Sequence, residues 1–126
     1  MPKRTTGTWR SRKGAHYEAL ALAYLRGQGL TVVKTNYRCK LGEIDLVMQD
    51  AKGLVFVEVR YRQKTSHGSA IATVDHRKQH KLRNAARQFL LYHQLHDRVA
   101  CRFDVVGLET SGSGATSVHW IQNAFY

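Results

Sequence analysis

The chain has 126 residues, a length typical of a single domain, and its hydrophobic fraction of 43% excludes a chain that is disordered throughout. Twenty Lys and Arg residues against nine Asp and Glu give a formal net charge of +11, which predicts a polyanionic partner. No apolar run approaches the ~20 residues that span a bilayer, so we expect nucleic acid rather than a membrane as that partner.

The cysteines and the N-terminus indicate a cytoplasmic protein. Cys39 and Cys101 lie far apart in sequence and lack the spacing of metal ligands, so both are predicted to be reduced thiols. The basic N-terminus is not followed by an apolar segment, and no signal peptide is predicted.

Residues 1–13 are basic, contain no acidic residue, and are predicted to form a flexible N-terminal arm. Arg12 and Lys13 at its end could contact phosphate groups. A disordered, solvated terminus explains the same composition equally well. Residues 14–126 are predicted to form a single domain without internal repeats.

The first half of this domain reads as a helix followed by three strands. Strong helix formers with regularly spaced apolar residues predict a helix from Lys13 to Gln28, which Gly27 and Gly29 would end. A first strand follows from Thr31 to Tyr37. Residues 43–49 and 54–62 then predict a hairpin around a loop of residues 50–53.

The second half is predicted to contain a long helix and two more strands. Residues 63–70 are polar, include Gly68, and are predicted to be a loop. The helix extends from Val74 to His96, and the strands comprise residues 102–108 and 118–121. The resulting order α-β-β-β-α-β-β predicts an α/β fold, a mixed sheet with helices on its faces.

Three of the nine acidic residues, Glu43, Asp45 and Glu58, occur in the otherwise apolar strands of the hairpin. A four-residue loop would place Asp45 directly opposite Glu58, with Cβ atoms ~4.5–5.5 Å apart. Like charges at that separation repel each other. Either the neighbouring Arg60 and Arg62 or a bound cation could relieve the repulsion.

Two interpretations of this pair are open. In the first, Asp45 and Glu58 belong to an exposed polar face and form ordinary surface ion pairs. In the second they bind Mg²⁺ or Mn²⁺ together with a nearby backbone carbonyl. The flanking apolar runs predict buried strands, where an unpaired charge is costly, and therefore favour the metal site. Glu18 is the only acidic residue of the first helix, and alone it would be explained by the positive helix N-terminus.

A basic surface is predicted around the long helix. Between Arg60 and Arg87 there are eight Lys or Arg residues and one acidic residue, Asp75. A solvated helix face is the usual explanation of such a run, but the nearly uniform positive sign favours contacts to phosphates. The predicted nucleic-acid contacts are Arg62, Arg77, Lys78 and Lys81, with Arg12 and Lys13 of the arm.

Several short motifs, from about Gly14 to the C-terminus, together resemble the bacterial YraN (UPF0102) family of uncharacterised proteins. They agree with it in order and spacing: Gly14 with Glu18, Asn36-Tyr37-Arg38, Gly42-Glu43-Ile44-Asp45-Leu46, Phe56-Val57-Glu58-Val59-Arg60-Tyr61-Arg62, Arg102-Phe103-Asp104-Val105-Val106 and Asn123-Ala124-Phe125.

That family is similar to the restriction-endonuclease-like superfamily, and most similar to archaeal Holliday junction resolvases. The resemblance implies a metal-dependent endonuclease acting on DNA, with branched DNA as one substrate, and it implies pairing as a homodimer. Asp45, Glu58 and the Val59 carbonyl would bind Mg²⁺ or Mn²⁺, with Glu18 as a further contributor. The residues do not distinguish DNA from RNA.

The chain departs from the superfamily pattern at Arg60, where the resemblance implies a Lys. Arg retains the positive charge and can stabilise charge on the scissile phosphate, but its pKa above ~12 prevents it from acting as a base. Two alternatives follow. The protein could be a non-catalytic nucleic-acid-binding module with the nuclease fold, or Asp45, Glu58, Arg60 and Arg62 could form a structural ion-pair network.

Overall fold

The structure, a computed structural model, describes the backbone of residues 2–63, 74–95 and 99–125. Side chains are described within residues 14–62, 74–95 and 99–125. The predicted contacts of Arg12 and Lys13 therefore lie outside the described residues, as do most of the predicted loop of residues 63–70, including Gly68, and the predicted helix end at His96.

Within the described ranges, two helices and five strands occur in the predicted order α-β-β-β-α-β-β, which confirms the α/β prediction. Their bounds are α1 Pro2–Gly27, β1 Thr31–Cys39, β2 Gly42–Asp50, β3 Gly53–Gln63, α2 His76–Tyr92, β4 Ala100–Thr110 and β5 Thr116–Phe125.

The starts of both helices differ from the prediction. Helical backbone in α1 begins at Pro2 rather than Lys13, and so continues through the segment predicted as an arm. Pro is compatible with a first helical turn because the N–H that it lacks would be unpaired there. α2 begins at His76 rather than Val74, because Asp75 caps it by accepting a hydrogen bond of 2.9 Å from the Lys78 backbone N–H.

All five strands extend beyond their predicted bounds, most clearly β5, which was predicted for residues 118–121 and spans Thr116–Phe125. The prediction followed apolar side chains, whereas pairing depends on backbone groups and continues through polar positions such as Thr116 and Ser117. The order of the strands along the chain is therefore predictable from the side-chain pattern, but the strand lengths are not.

The strands form one mixed sheet in the order β1-β2-β3-β4-β5. β3 and β4 are parallel and the other neighbours are antiparallel; α2 connects the parallel pair. The buried side chains form two clusters, one joining Phe89 of α2 to Phe56 and the other joining Leu25 of α1 to Val57. Because Phe56 and Val57 are consecutive in β3, the two helices cover opposite faces of the sheet.

A buried polar network attaches β5 to β4. The Asp104 carboxylate is 1% exposed and accepts hydrogen bonds from Arg102 Nε at 3.0 Å, Trp120 Nε1 at 2.9 Å and the Asn123 backbone N–H at 2.8 Å. Arg102 also contacts Asp50 Oδ2 at 2.8 Å. Both oxygens of the Asp104 carboxylate thus accept hydrogen bonds, as a buried charge requires.

No helix in the described ranges is both long enough and apolar enough to cross a membrane.

Candidate functional site

The two strands of the hairpin separate at the predicted acidic pair. β2 and β3 pair from their turn as far as Leu46 and Val57. Beyond these residues β2 pairs with β1 again from Ile44 to its end at Gly42, and β3 remains paired with β4 to its end at Gln63. The hairpin therefore opens at the next residues, Asp45 and Glu58.

The hairpin register agrees with the prediction that Asp45 lies opposite Glu58. Pairing of Leu46 with Val57 places these two acidic residues across from each other, one step beyond the last backbone pair. Asp45 is 8% exposed and Glu58 is 4% exposed. The Asp45 Oδ2 atom accepts a hydrogen bond of 2.8 Å from the Val59 backbone N–H. The carboxylate thus takes the place of the β2 backbone carbonyl that would accept this N–H if the hairpin continued.

The same hydrogen bond orients the backbone of Val59. In an antiparallel pair, a residue that directs its N–H toward a neighbouring strand directs its C=O toward that strand as well. Because the Val59 N–H points to Asp45 of β2, the Val59 carbonyl also faces the opening. A backbone oxygen is thereby available beside the two carboxylates.

Asn36 marks the corresponding irregularity in β1. It lies opposite Asp45 in the β1–β2 register and has a φ of 51°, in the left-handed region that Asn tolerates better than most residues. Ile44 packs in the cluster that contains α2, whereas Leu46 packs in the cluster that contains α1. In a regular strand, side chains two positions apart lie on the same face of the sheet. Ile44 and Leu46 lie on opposite faces, so the regular alternation of β2 is interrupted at Asp45.

Two cations approach one oxygen of Glu58. Arg60 Nε lies 3.0 Å and Lys78 Nζ 3.7 Å from Glu58 Oε2. The Arg60 N–H is not aligned for a hydrogen bond, and within the described residues both Arg60 Nε and Glu58 Oε1 are buried without a hydrogen-bond partner. The Asp45 carboxyl could satisfy Oε1 only while one of the two groups carries a proton. Among the described residues, the cations that approach the pair therefore both lie at Glu58 Oε2.

Burial and mutual repulsion dominate the electrostatics of the pair. Burial, together with the charge of Asp45, raises the pKa of Glu58 to about 8, although Lys78 and Arg60 act in the opposite direction. Burial also raises the pKa of Asp45, against the hydrogen bond from Val59. At neutral pH the pair tends to retain a proton, and a bound cation would replace it.

The donor set fits a hard divalent cation that keeps water ligands. No three His, Cys, Asp or Glu side chains of the described part of the chain cluster closely enough to hold a metal ion. The donors that the described residues could offer a metal ion here are therefore the two carboxylates and the Val59 carbonyl. Mg²⁺ is commonly bound through one or two carboxylates while it retains several waters, and Glu58 Oε1, which has no hydrogen-bond partner among the described residues, could be such a ligand.

Other predicted site residues are placed less directly. Glu18 is half-buried on α1, next to Tyr17, whose ring stacks on Tyr61 at a centroid distance of 3.9 Å. It therefore belongs to the α1 layer, and its contribution to metal binding stays a prediction. Arg62 is half-buried in β3, and Arg77 is exposed in the first turn of α2; their nucleic-acid contacts also stay predictions.

Lys78 has a role that the sequence did not indicate. It was predicted only as a phosphate contact, on the basis of the basic run, and Lys81 shared that prediction. The structure places Lys78 against Glu58, twenty positions earlier in the chain. No local pattern connects the two residues, because α2 reaches β3 only through packing on the sheet.

Comparisons with known proteins give one consistent result. The profile described as "Uncharacterised protein family UPF0102" matches residues 17–108. A UPF0102 protein of Alcanivorax borkumensis is 49% identical over 119 residues, which cover 93% of this chain and 95% of the relative. One from Aeromonas hydrophila is 50% identical over 114 residues, covering 90% and 84%, and one from Pseudomonas syringae is 45% identical over 116 residues, covering 92% and 94%.

Proposed function

The chain belongs to the UPF0102 family, and from that premise we propose that it is a metal-dependent endonuclease-like enzyme that cleaves phosphodiester bonds in DNA. Branched DNA is included in the proposed substrate class because of the resemblance to Holliday junction resolvases. Asp45 and Glu58 bind the metal ion, Mg²⁺ or Mn²⁺, and the Val59 carbonyl is the third protein ligand.

A single observation carries this proposal: a buried carboxylate pair with one oxygen, Glu58 Oε1, that has no donor among the described residues. An unsatisfied buried acceptor costs ~1–3 kcal/mol, and more when it is charged. Asp45 can satisfy that oxygen only by sharing a proton with Glu58, so an ionised pair leaves it without a donor among the described residues. A cation between Asp45 and Glu58 would satisfy it and remove the repulsion between the two groups.

When bound, the divalent cation polarises the scissile phosphate and makes an adjacent water more acidic. Asp45 and Glu58 would hold it at the opening between β2 and β3, where both side chains are buried. The Val59 N–H fixes the orientation of Asp45 through the 2.8 Å hydrogen bond to Oδ2. Folding therefore positions these ligands in advance.

Lys78 and Arg60 supply positive charge beside the reacting phosphate. Arg60 takes the position of the superfamily Lys, and its guanidinium can stabilise charge on two phosphate oxygens at once. Lys78 Nζ, 3.7 Å from Glu58 Oε2, is a compact amine that can hold or move a proton, which Arg60 cannot. We assign the proton-handling role to Lys78 and charge stabilisation to Arg60.

Arg60 also favours a second candidate function, that of a non-catalytic nucleic-acid-binding module. Its Nε lies 3.0 Å from Glu58 Oε2, so the guanidinium already neutralises part of the carboxylate charge that a metal ion would need. In that case the basic surface would bind DNA without turnover.

A cleavage screen distinguishes the two functions. Linear duplex, single-stranded, flap and four-way-junction DNA would be incubated with Mg²⁺ or Mn²⁺ and either the wild-type protein or Asp45→Asn. Metal-dependent cleavage by the wild type, lost in Asp45→Asn with DNA affinity retained, supports the enzyme. Binding without cleavage on every substrate and with both metals rejects it in favour of the binding module.

A further inference from the structure

A pocket of about 480 Å³ lies between the β1–β2 turn and α2. Among the residues that the structure describes, four cationic residues and one acidic residue, Glu43, line it; the cations are Arg38, Lys40, Lys78 and Lys81. Arg38 and Lys40 did not emerge from the sequence as phosphate contacts, because the basic run on α2 does not include them. The fold combines cations from two separate elements in one concavity.

The charge of the pocket remains largely uncompensated by its own lining. Arg38 Nε lies 3.8 Å from Glu43 Oε1, and the two side chains are 56% and 26% exposed. Ion pairs at such exposure contribute little to stability and are easily exchanged for a ligand anion. The pocket is therefore suited to an anion that several Lys and Arg side chains bind together.

The two walls of the pocket approach each other closely at Gly42. Gly42 has a φ of 153°, and a Cβ at this position would lie 3.1 Å from the Lys81 carbonyl oxygen. A larger residue would strain the backbone and push the turn away from α2. Glycine thus lets the turn approach the helix and sets the distance between Lys40 and Lys81.

Lys78 connects this pocket to the acidic pair. It lines the pocket and also lies 3.7 Å from Glu58 Oε2. A strand of nucleic acid carries a phosphate at every nucleotide and could occupy both places, whereas an isolated phosphate could occupy one. Leu41, 49% exposed in the pocket lining, adds apolar surface suited to a sugar or base rather than to a free anion.

We infer that this pocket is a second phosphate-binding subsite for the same nucleic-acid strand whose scissile phosphate lies at Asp45 and Glu58. The inference rests on the proposed function. Arg38, Lys40 and Lys81 bind the neighbouring phosphate of that strand, and Lys78 lies between the two phosphates.

A binding experiment without metal tests the subsite separately from catalysis. Fluorescein-labelled duplex DNA would be titrated in EDTA with the wild type, with Arg38→Ala/Lys40→Ala, and with Lys34→Ala/Lys52→Ala as the control. The control removes two exposed cations of β1 and the β2–β3 turn that lie outside the pocket. We expect about tenfold weaker binding and a salt slope reduced by about one unit for the pocket variant, and little change for the control.

The possible results distinguish DNA binding in the pocket from non-specific attraction to the positively charged protein, and they test the pocket independently of the proposed cleavage activity. Equal losses in both double variants, or no loss in either, would overturn the subsite. Inorganic phosphate provides a further comparison. If the Arg38→Ala/Lys40→Ala variant loses phosphate binding but keeps the DNA affinity of the wild type, the pocket binds small anions and the inference is overturned. Loss of DNA affinity in the pocket variant alone supports the subsite even if the wild type fails to cleave, in which case only the proposed function falls.

Discussion

Lys78 Nζ lies 3.7 Å from Glu58 Oε2, so the first turn of α2 brings an ammonium group to a buried carboxylate of β3. The contact crosses from the helix layer to the sheet at the point where β2 and β3 separate. It lowers the pKa of Glu58 against the larger effects of burial and of Asp45, which raise that pKa to about 8. Metal affinity should therefore depend on pH and on this lysine.

Binding of Mn²⁺ is expected to strengthen as the pH rises from 6 toward the Glu58 pKa of about 8, because the cation must displace a proton from the pair. Calorimetry in buffers of different ionisation enthalpy would measure the released proton. Lys78→Gln removes a cation that stabilises the ionised carboxylate, so its binding curve should move to higher pH. A wild-type affinity that does not change between pH 6 and 9 would contradict metal binding by this pair.

The stability of the metal-free protein should decrease with pH over the same range. The folded Glu58 pKa of about 8 lies above the ordinary value of 4.5, so between these values the folded state binds more protons than the unfolded state. The contribution of Glu58 to the free energy of unfolding is thus largest below the ordinary pKa and is lost as the pH rises through about 8. Thermal melts at pH 5 to 9 should show this decrease in the wild type and a flatter profile in Glu58→Gln. Parallel profiles for the two proteins would show that Glu58 titrates normally.

Arg60→Lys is expected to preserve metal binding and to increase the cleavage rate, because Lys is a compact donor that can approach the attacking water. The comparison is best made by single-turnover kinetics with saturating protein, so that DNA affinity does not enter. Asp45→Asn in the Arg60→Lys background is the matched control and should eliminate cleavage. If Arg60→Lys is inert with both metals on every substrate, the binding-module function replaces the enzyme.

Arg77→Ala/Lys81→Ala is expected to weaken DNA binding and to lower the salt slope by about one unit for each phosphate contact that is lost. Both side chains are exposed on α2, four residues apart, so the substitutions should not disturb the core. Fluorescence anisotropy at several salt concentrations measures the slope. A slope equal to that of the wild type would locate the DNA-binding surface away from this face of α2.

Asp104→Asn is expected to destabilise the protein by about 3–5 kcal/mol, the range for breaking a buried ion pair by removing one partner. The amide would direct N–H groups at donors that now surround the carboxylate, among them Arg102 Nε at 3.0 Å and Trp120 Nε1 at 2.9 Å. Urea denaturation followed by circular dichroism measures the change. Asp50→Asn is the control, because the Asp50 carboxylate also contacts Arg102 but is only half-buried. It should lower the free energy of unfolding by less than Asp104→Asn does. An equal decrease in the two variants would show that the burial of Asp104 is not the cause.

Much of the fold could be predicted because the relevant patterns are local. Period-two alternation and the short loop between β2 and β3 determine the hairpin register, which is why Asp45 could be placed opposite Glu58. The core positions of α2 followed from the period of its apolar residues, and Leu82 and Phe89 are each 2% exposed. The start of α1 at Pro2 could not be predicted in this way, since residues 2–12 have no apolar periodicity.

The sequence by itself determined the basic charge, the order of elements, and the presence of two facing carboxylates in apolar strands. Only the tertiary structure decided that β2 and β3 separate at those carboxylates and that Glu58 Oε1 is buried without a hydrogen-bond partner among the described residues. It also decided that Lys78 approaches Glu58 from α2, the helix that connects the parallel strands. The physical reason is the range of the interactions. Alternation and turn length act over a few residues, whereas burial, pKa and the pocket of Arg38 and Lys81 arise when α2 packs on strands distant in sequence.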